Sequence, residues 1–537
     1  MARASGVEGL QHCAGCVSSD ETLASESAIQ SRVAHNTLLN LLGLAVPLAL
    51  AFFVMPVAAR HLGPARFGLI GLAWAVTEYL VLFDLGLGRA TVRFIADTLH
   101  RNPNDLTEIA SLATSIQLAA GILGGFAFAL LAPTLVHAAF HLPPAISAEA
   151  VAMFRVVGFG LPFVLLLSGL RGILEGAQRF DLSNAIRMLS SAASVAMPAI
   201  GAVRGASLPT IMWWILISRA IVCVFYLMAI RRALPGLRWR LPSQWSRSRV
   251  LLSFGGWVLV SNAVSPVLVY FDRFALGAIA GIAAVGFYTA PYEGVTRLLL
   301  VAVSLAASLL PALTSLETRG DRVRSTELVS SSGRTLMVVM APPLAFIFAF
   351  APALVQIWLG PVYAAQSSFA LRILAVGVFL NALAQLPFVT LYAFNRPDLP
   401  AKFHLLELVI HIPLTILLVR EFGIAGAATA WTVRVGLDLC LLLAASARST
   451  GVSIAAVAGG RVARTGGAVL GLVATLMLAA ALLDSMPLVA SLLTIVSIVG
   501  FLVLSWSWIL LAAERDAIAR ILGVYTGSLR RGARSVA

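Results

Sequence analysis

The sequence predicts an all-α polytopic membrane protein of about fourteen transmembrane helices, and three observations predict it. The chain of 537 residues is 59% hydrophobic and 12% charged, with a mean hydropathy of +0.93. Soluble domains are about half apolar and a quarter charged. Apolar runs of about 20 residues recur along nearly the whole length, each long enough to cross about 30 Å of hydrocarbon. The runs are continuous rather than alternating, and lipid offers backbone groups no partner, so they are helices and not barrel strands.

The chain begins with a polar, small-residue stretch, 1–36, expected to be a disordered cytoplasmic tail with no cleavable signal peptide. Cys13 and Cys16 have a C-x-x-C spacing there, but no second pair completes a zinc site and no βαβ pattern suggests redox work. Cys223 and Cys440 fall in apolar runs, where cysteine packs as a small hydrophobe. Neither a metal nor a cofactor is expected.

The spans follow at 37–59, 67–87, 109–131, 151–173, 185–203, 209–230, 250–271, 284–307, 334–356, 369–392, 403–419, 424–446, 467–483 and 487–511. Of the 38 basic residues, Arg60, Arg66, Arg204, Arg273 and Arg420 fall on the side opposite the N-terminus. Arg155, Arg219, Arg297, Arg372 and Arg434 fall inside spans, and all the rest lie on the N-terminal side. That bias places both termini in the cytoplasm, and it accounts for the net charge of +14 without nucleic acid as a partner. The connection 231–249, RRALPGLRWRLPSQWSRSR, carries six arginines and reads as a linker lying on anionic headgroups. The longest external connection, 133–150, is too short for a catalytic domain, which argues against an enzyme. The C-terminal segment 512–537 is a second basic cytoplasmic tail.

Residue matches recur at a nearly constant offset. Leu62-Gly63 corresponds to Leu276-Gly277, Phe67-Gly68 to Val285-Gly286, and Phe126-Ala-Phe-Ala to Phe346-Ile-Phe-Ala. Pro133 corresponds to Pro352, Gln178-Arg179-Phe180-Asp181 to Asn395-Arg396-Pro397-Asp398, and Trp213 to Trp431. Two six-helix lobes are therefore expected, 37–230 and 250–446, with 467–511 as an additional helix pair. An even number of spans returns the chain to its starting side, so the lobes are related by an axis along the membrane normal, with a ligand site between them.

A charge inside a span costs about 2.5–3.5 kcal/mol on insertion scales, so each needs a reason. Glu78, Arg219, Glu293, Arg297, Arg434 and Asp438 are such charges, and Asn381 and Gln385 form a polar i, i+4 pair. Arg219, Arg297, Arg434, Asn381 and Gln385 are candidates for binding substrate, because a guanidinium holds phosphate oxygens bidentately. Glu78, Glu293 and Asp438 are candidates for ion coupling, because a buried carboxylate can exchange a proton. Glu293–Arg297 and Arg434–Asp438 can equally be internal ion pairs that serve only helix packing. Arg155 and Arg372 lie near span ends and read as snorkelling. Asp84-Leu-Gly-Leu-Gly-Arg89 reads as a flexible helix exit with an arginine anchor, since it lacks the strand-to-helix context of a nucleotide loop.

The runs LGPARFGLIGLAWAV and FDLGLGRATVRF (within 62–94), GILEGAQRFDLSNAI (172–186), the segment 254–298 and GIAGAATAW (423–431) resemble bacterial polysaccharide (O-antigen type) flippases. These belong to the multidrug/oligosaccharidyl-lipid/polysaccharide exporter superfamily. The resemblance covers about residues 37–512. It implies two six-helix lobes in a V, alternating access driven by ion gradients, and a polyprenyl-pyrophosphate-linked oligosaccharide as cargo. It also implies the cytoplasmic membrane as location, with glycosyltransferases and a polysaccharide polymerase of the same pathway as partners. A lipid II flippase and an ion-coupled small-molecule or multidrug exporter stay open as alternatives.

Overall fold

The computed structural model describes residues 19–84, 86–102, 105–140, 142, 144–240, 264, 266–451, 460–511 and 515. The Cys13/Cys16 pair, the second half of the arginine linker, most of the seventh expected span and most of the C-terminal tail lie outside them.

Helix α1 (Ser19–Leu80) breaks at Gly63, where φ is 72° and ψ 168°. Its two arms hold the first two expected spans. No glycine or proline interrupts the chain between Ser19 and Leu42, so residues 19–36, expected in a disordered tail, instead continue the first helix. A 3-10 turn (Val81–Asp84) leads into α2 (Leu87–Arg101), which occupies a stretch where the sequence places no span. Its buried residues Leu87, Ala90, Thr91, Ile95 and Thr98 repeat at helical spacing, so it lies on the bundle instead of crossing the membrane.

Helices α3 (Leu106–Ala139), α4 (Pro144–Gly176), α5 (Phe180–Val203) and α6 (Leu208–Ala233) complete the first half. The external connection expected over 133–150 shrinks to 140–143, because Pro133 sits inside α3 without ending it. The second half holds α7 (266–279), α8 (Ile282–Thr296), α9 (Leu299–Thr318), α10 (Arg322–Leu359), α11 (Pro361–Ala393) and α12 (Asp398–Thr450). Two more helices follow, α13 (Gly460–Ala481) and α14 (Pro487–Leu504), the last ending in a π turn over Ser505–Ile509.

Among the described residues 11 helices are long and apolar enough to span a membrane. Helices α1 and α12 each hold two of the expected spans. A straight α12 of 53 residues would reach about 80 Å at 1.5 Å per residue. It breaks at Gly423 (φ 53°), and the chain doubles back so tightly that a Cβ on Gly426 would meet the Leu418 carbonyl oxygen. With α7 as the described end of the seventh span, the fourteen are accounted for. Span 284–307 is interrupted at Arg297–Leu298, between α8 and α9.

In the first half α3 packs on α4, α4 on α6 and α1 on α5; in the second α10 packs on α11, and α11 on α12 and α9. The principal contact between the halves is α1 against α8. It exists because glycines face each other: a Cβ on Gly68 would lie 2.3 Å from the Ile282 oxygen, and one on Gly286 2.0 Å from the Pro64 oxygen. Small residues at such crossings let two backbones gain the packing that drives helix association in lipid. Helix α13 packs on α10, and α14 on α13.

The internal repeat is visible in the backbone. Positive φ occurs at Gly63 and Gly281, Gln178 and Asn395, and Gly205 and Gly423, pairs spaced 218, 217 and 218 residues apart. Arg179 ion-pairs with Asp181 (2.9 Å) as Arg396 does with Asp398 (3.1 Å). Arg179 N donates to Leu174 O and Arg396 N to Leu391 O, both at 2.8 Å.

Candidate functional site

Helices α7 and α8 bring two arginines and two acids together. Arg273 is fully buried on α7, two turns inside the end of its helix. The sequence assigned it to an external loop, because the apolar run stops at 271; the helix continues to 279 since Asp272 and Arg273 are satisfied locally. Arg273 Nη2 donates to Glu293 Oε1 at 2.7 Å, and Arg297 Nη2 to Glu293 Oε2 at 2.8 Å. Glu293 therefore holds one guanidinium on each oxygen. Tyr288 donates its hydroxyl to the buried Asp272 carboxylate, and Arg273 lies over the rings of Tyr270 and Tyr292 at 5.0 and 5.1 Å. Two carboxylates and two guanidiniums balance in charge. The Arg297 side chain alone of these four ions is substantially exposed, at 43%.

A second cluster lies on α11 and α12. Asn381, Gln385, Arg434 and Asp438 line one cavity of about 230 Å³, closed on another side by Leu268 and Val269 of α7. Four of the expected site residues thus converge. Asn381 and Gln385 hydrogen-bond weakly at 3.5 Å. Arg434 does not pair with Asp438 four residues on, as the spacing suggests. It reaches across the Gly423 bend to Glu407, at 3.1 Å, and that carboxylate is fully buried. Ligand atoms of His404, Glu407 and Asp438 all lie within 4.8 Å of one another. Glu407 Oε1 and Asp438 Oδ1 have no donor among the described residues. Arg434 already supplies a positive charge here, which weighs against a metal ion at this set.

The remaining two candidates sit in the first half. Glu78 is exposed to a cavity of about 290 Å³ that also touches Asp84, Arg89, Arg171 and, from α7, Pro266. Arg219, on α6, lines a separate and much smaller space with Trp74, Thr77 and Ser194, within electrostatic reach of Glu78. Among the described cavities, Glu78, Arg219 and Arg434 line three different ones. Asp84 does more than end a helix. It is buried, accepts from Gly88 N at 2.9 Å and from Gln117 Nε2 at 2.6 Å, and so fixes the turn that carries Arg89 into the larger cavity.

Sequence reasoning missed Asp272, Arg273, His404 and Glu407. His404, Glu407 and His411 recur at i, i+3 and i+7, a polar stripe on an otherwise apolar span, and that stripe was the available signal. Asp272 and Arg273 offered none, since an ionic pair at the end of an apolar run looks like a loop.

Comparison with known proteins adds the family. The chain is 29% identical over 413 residues, 76% of its length and 96% of the relative's, to a protein of Shigella flexneri named as a putative O-antigen transporter. It is 23% identical over 183 residues, 34% of its length and 39% of the relative's, to a Haloferax volcanii protein named as a probable low-salt glycan biosynthesis flippase. Among solved structures it resembles a lipid II flippase in an inward closed conformation, with TM-score 0.66 and 14% identity over 86% of this chain and 98% of that one. An inward-facing multidrug resistance transporter of the MATE family gives TM-score 0.66 at 15% identity, over 77% of this chain and 98% of that one. At such identities the structural likeness shows the fold alone. The polysaccharide biosynthesis protein family model matches residues 33–317, more than half of the chain, and this multi-pass membrane protein belongs to that family.

Proposed function

We propose that this protein is a flippase that carries a polyprenyl-pyrophosphate-linked oligosaccharide across the bacterial cytoplasmic membrane by alternating access, for cell-surface polysaccharide export. The observation that carries the reading is the pair of guanidiniums, Arg273 and Arg297, held on Glu293 where α7 meets α8, in a chain of this family. Arg297 is the member that can change partners: its half-exposed guanidinium leaves Glu293 for a pyrophosphate, while buried Arg273 keeps Glu293 neutralised. Arg219, Arg434, Asn381 and Gln385 supply further polar contacts to cargo. Glu78, Glu293 and Asp438, joined by Glu407, are the carboxylates that couple the cycle to an ion gradient.

Both termini and the arginine linker face the cytoplasm in this reading, which the distribution of basic residues supports. The protein then takes its cargo from glycosyltransferases on that side and delivers it to a polymerase on the other. It performs transport and not a chemical transformation. Deletion of the gene tests this, followed by lipid extraction. Accumulated polyprenyl-pyrophosphate oligosaccharide with loss of surface polysaccharide, restored by the wild-type chain but not by Arg297→Ala, is the expected result. Normal surface polysaccharide with raised drug sensitivity would instead establish a small-molecule exporter.

A further inference from the structure

Helix α10 ends at Leu359 because Gly360 has φ 98°, and a helix end leaves its last carbonyls without intrahelical donors. Gly360 N takes up Val355 O and Gln356 O. The next two carbonyls are taken up from the other half of the molecule. Arg60, on the first arm of α1, donates through Nη2 to Ile357 O and, at 3.0 Å, to Trp358 O. Its partners are 297 and 298 residues away in sequence. Trp358 answers from its side: Nε1 donates to Phe52 O at 2.8 Å, and its ring stacks on Phe52 at 5.3 Å and 17°. The far edge of the indole rests on α8, where a Cβ on Gly294 would come within 2.9 Å of it. One arginine and one tryptophan thus tie α1, α8 and α10 together beside the Gly63 bend.

We propose that Arg60, Phe52 and Trp358 form a latch that holds this face of the protein shut, and that its release is the step that opens the seam there. A guanidinium at a helix C-terminus neutralises the negative end of the dipole, and this one does so only while the two halves are together. When the halves part, water takes over both the guanidinium and the carbonyls, so the latch can open and reclose without stranding a buried charge. The direction of cargo release through this face rests on the transport reading above, but the latch itself does not.

The test uses the full chain in lipid nanodiscs, with its four cysteines replaced by serine and spin labels introduced by paired substitutions. His137→Cys with Val362→Cys reports the latched face, and Arg101→Cys with Arg319→Cys the opposite one. Pulsed dipolar spectroscopy is compared for the unsubstituted latch, Arg60→Gln, and Trp358→Phe, which keeps an aromatic ring but loses the indole donor. The expected result is a rise of about tenfold in the ratio of long to short distances at His137→Cys/Val362→Cys in Arg60→Gln. A smaller rise in Trp358→Phe and a reciprocal shortening at the other pair should accompany it. Arg60→Lys, which keeps the charge, should fall between. Unchanged distributions in both latch variants would overturn the proposal. If Arg60→Gln fails to insert, Trp358→Phe decides alone. No cargo is present, so a failure here leaves the flippase reading standing, and a wrong cargo leaves the latch standing.

Discussion

Arg434→Ala is the perturbation whose outcome follows most directly from the geometry. It removes a guanidinium that lies 3.1 Å from a fully buried carboxylate and is itself only 10% exposed. At an effective dielectric constant of 20, two unit charges at that distance interact by about 5 kcal/mol. Desolvation offsets much of this for the intact pair, but removal of one partner leaves the other charge uncompensated, at a cost of about 3–5 kcal/mol. Glu407 is worse placed than an ordinary survivor, because Asp438 stands beside it. Glu407→Gln should cost less, since a neutral amide replaces the charge. The double variant Arg434→Ala/Glu407→Gln should be more stable than Arg434→Ala alone, which no additive scheme allows. Thermal unfolding of the purified chain in detergent, followed by loss of the monodisperse peak on size exclusion, measures all four corners of the cycle. Raising the salt concentration should change the coupling little, since a buried pair is poorly screened. The reasoning is refuted if Arg434→Ala unfolds with the wild type, or if the double variant is as unstable as the two single losses added together.

Three further outcomes are expected. Gly286→Ala forces a methyl group to within 2.0 Å of the Pro64 oxygen; spreading α1 from α8 should cost about 1–3 kcal/mol or more and lower the melting temperature, whereas Gly236→Ala, with nothing within 4 Å, should not. Asp84→Ala strands Gly88 N and Gln117 Nε2 in a buried site, at about 1–3 kcal/mol for each group, and Asp84→Asn should recover part of that loss in the same melt. In intact cells a membrane-impermeant maleimide should label Glu421→Cys but not Arg319→Cys on a cysteine-free background; the reverse pattern would overturn the assigned orientation.

Much of the architecture was legible because lipid makes hydrophobic length a strong signal. The glycine bends at Gly63 and Gly423 were legible too, as the short connections between paired spans. The 217–218-residue register, seen first in loose matches such as Gln178-Arg179 with Asn395-Arg396, returns as shared backbone conformation. The Glu293–Arg297 pair was legible from its i, i+4 spacing, because both members lie on one helix. Arg434 was misassigned for the opposite reason. Its nearest acid in sequence is Asp438, but its ion-pair partner is Glu407, brought to it by a bend and not by periodicity. Arg219 and Arg434 both fall inside spans of the sequence, yet they line different spaces, since position along a span says nothing about which way its helix is turned.

The arginine buried in α7 also bears on how the chain is made. As α7 leaves the translocation channel it carries an aspartate and an arginine, at positions 272 and 273, that lipid would receive only at a cost of several kcal/mol. The groups that satisfy them, Tyr288, Tyr292 and Glu293, are all on the helix synthesised next, within 21 residues of Asp272 along the chain. Helix α7 therefore has reason to wait at the channel until α8 arrives, so that the two enter the bilayer as a hairpin with their charges already matched.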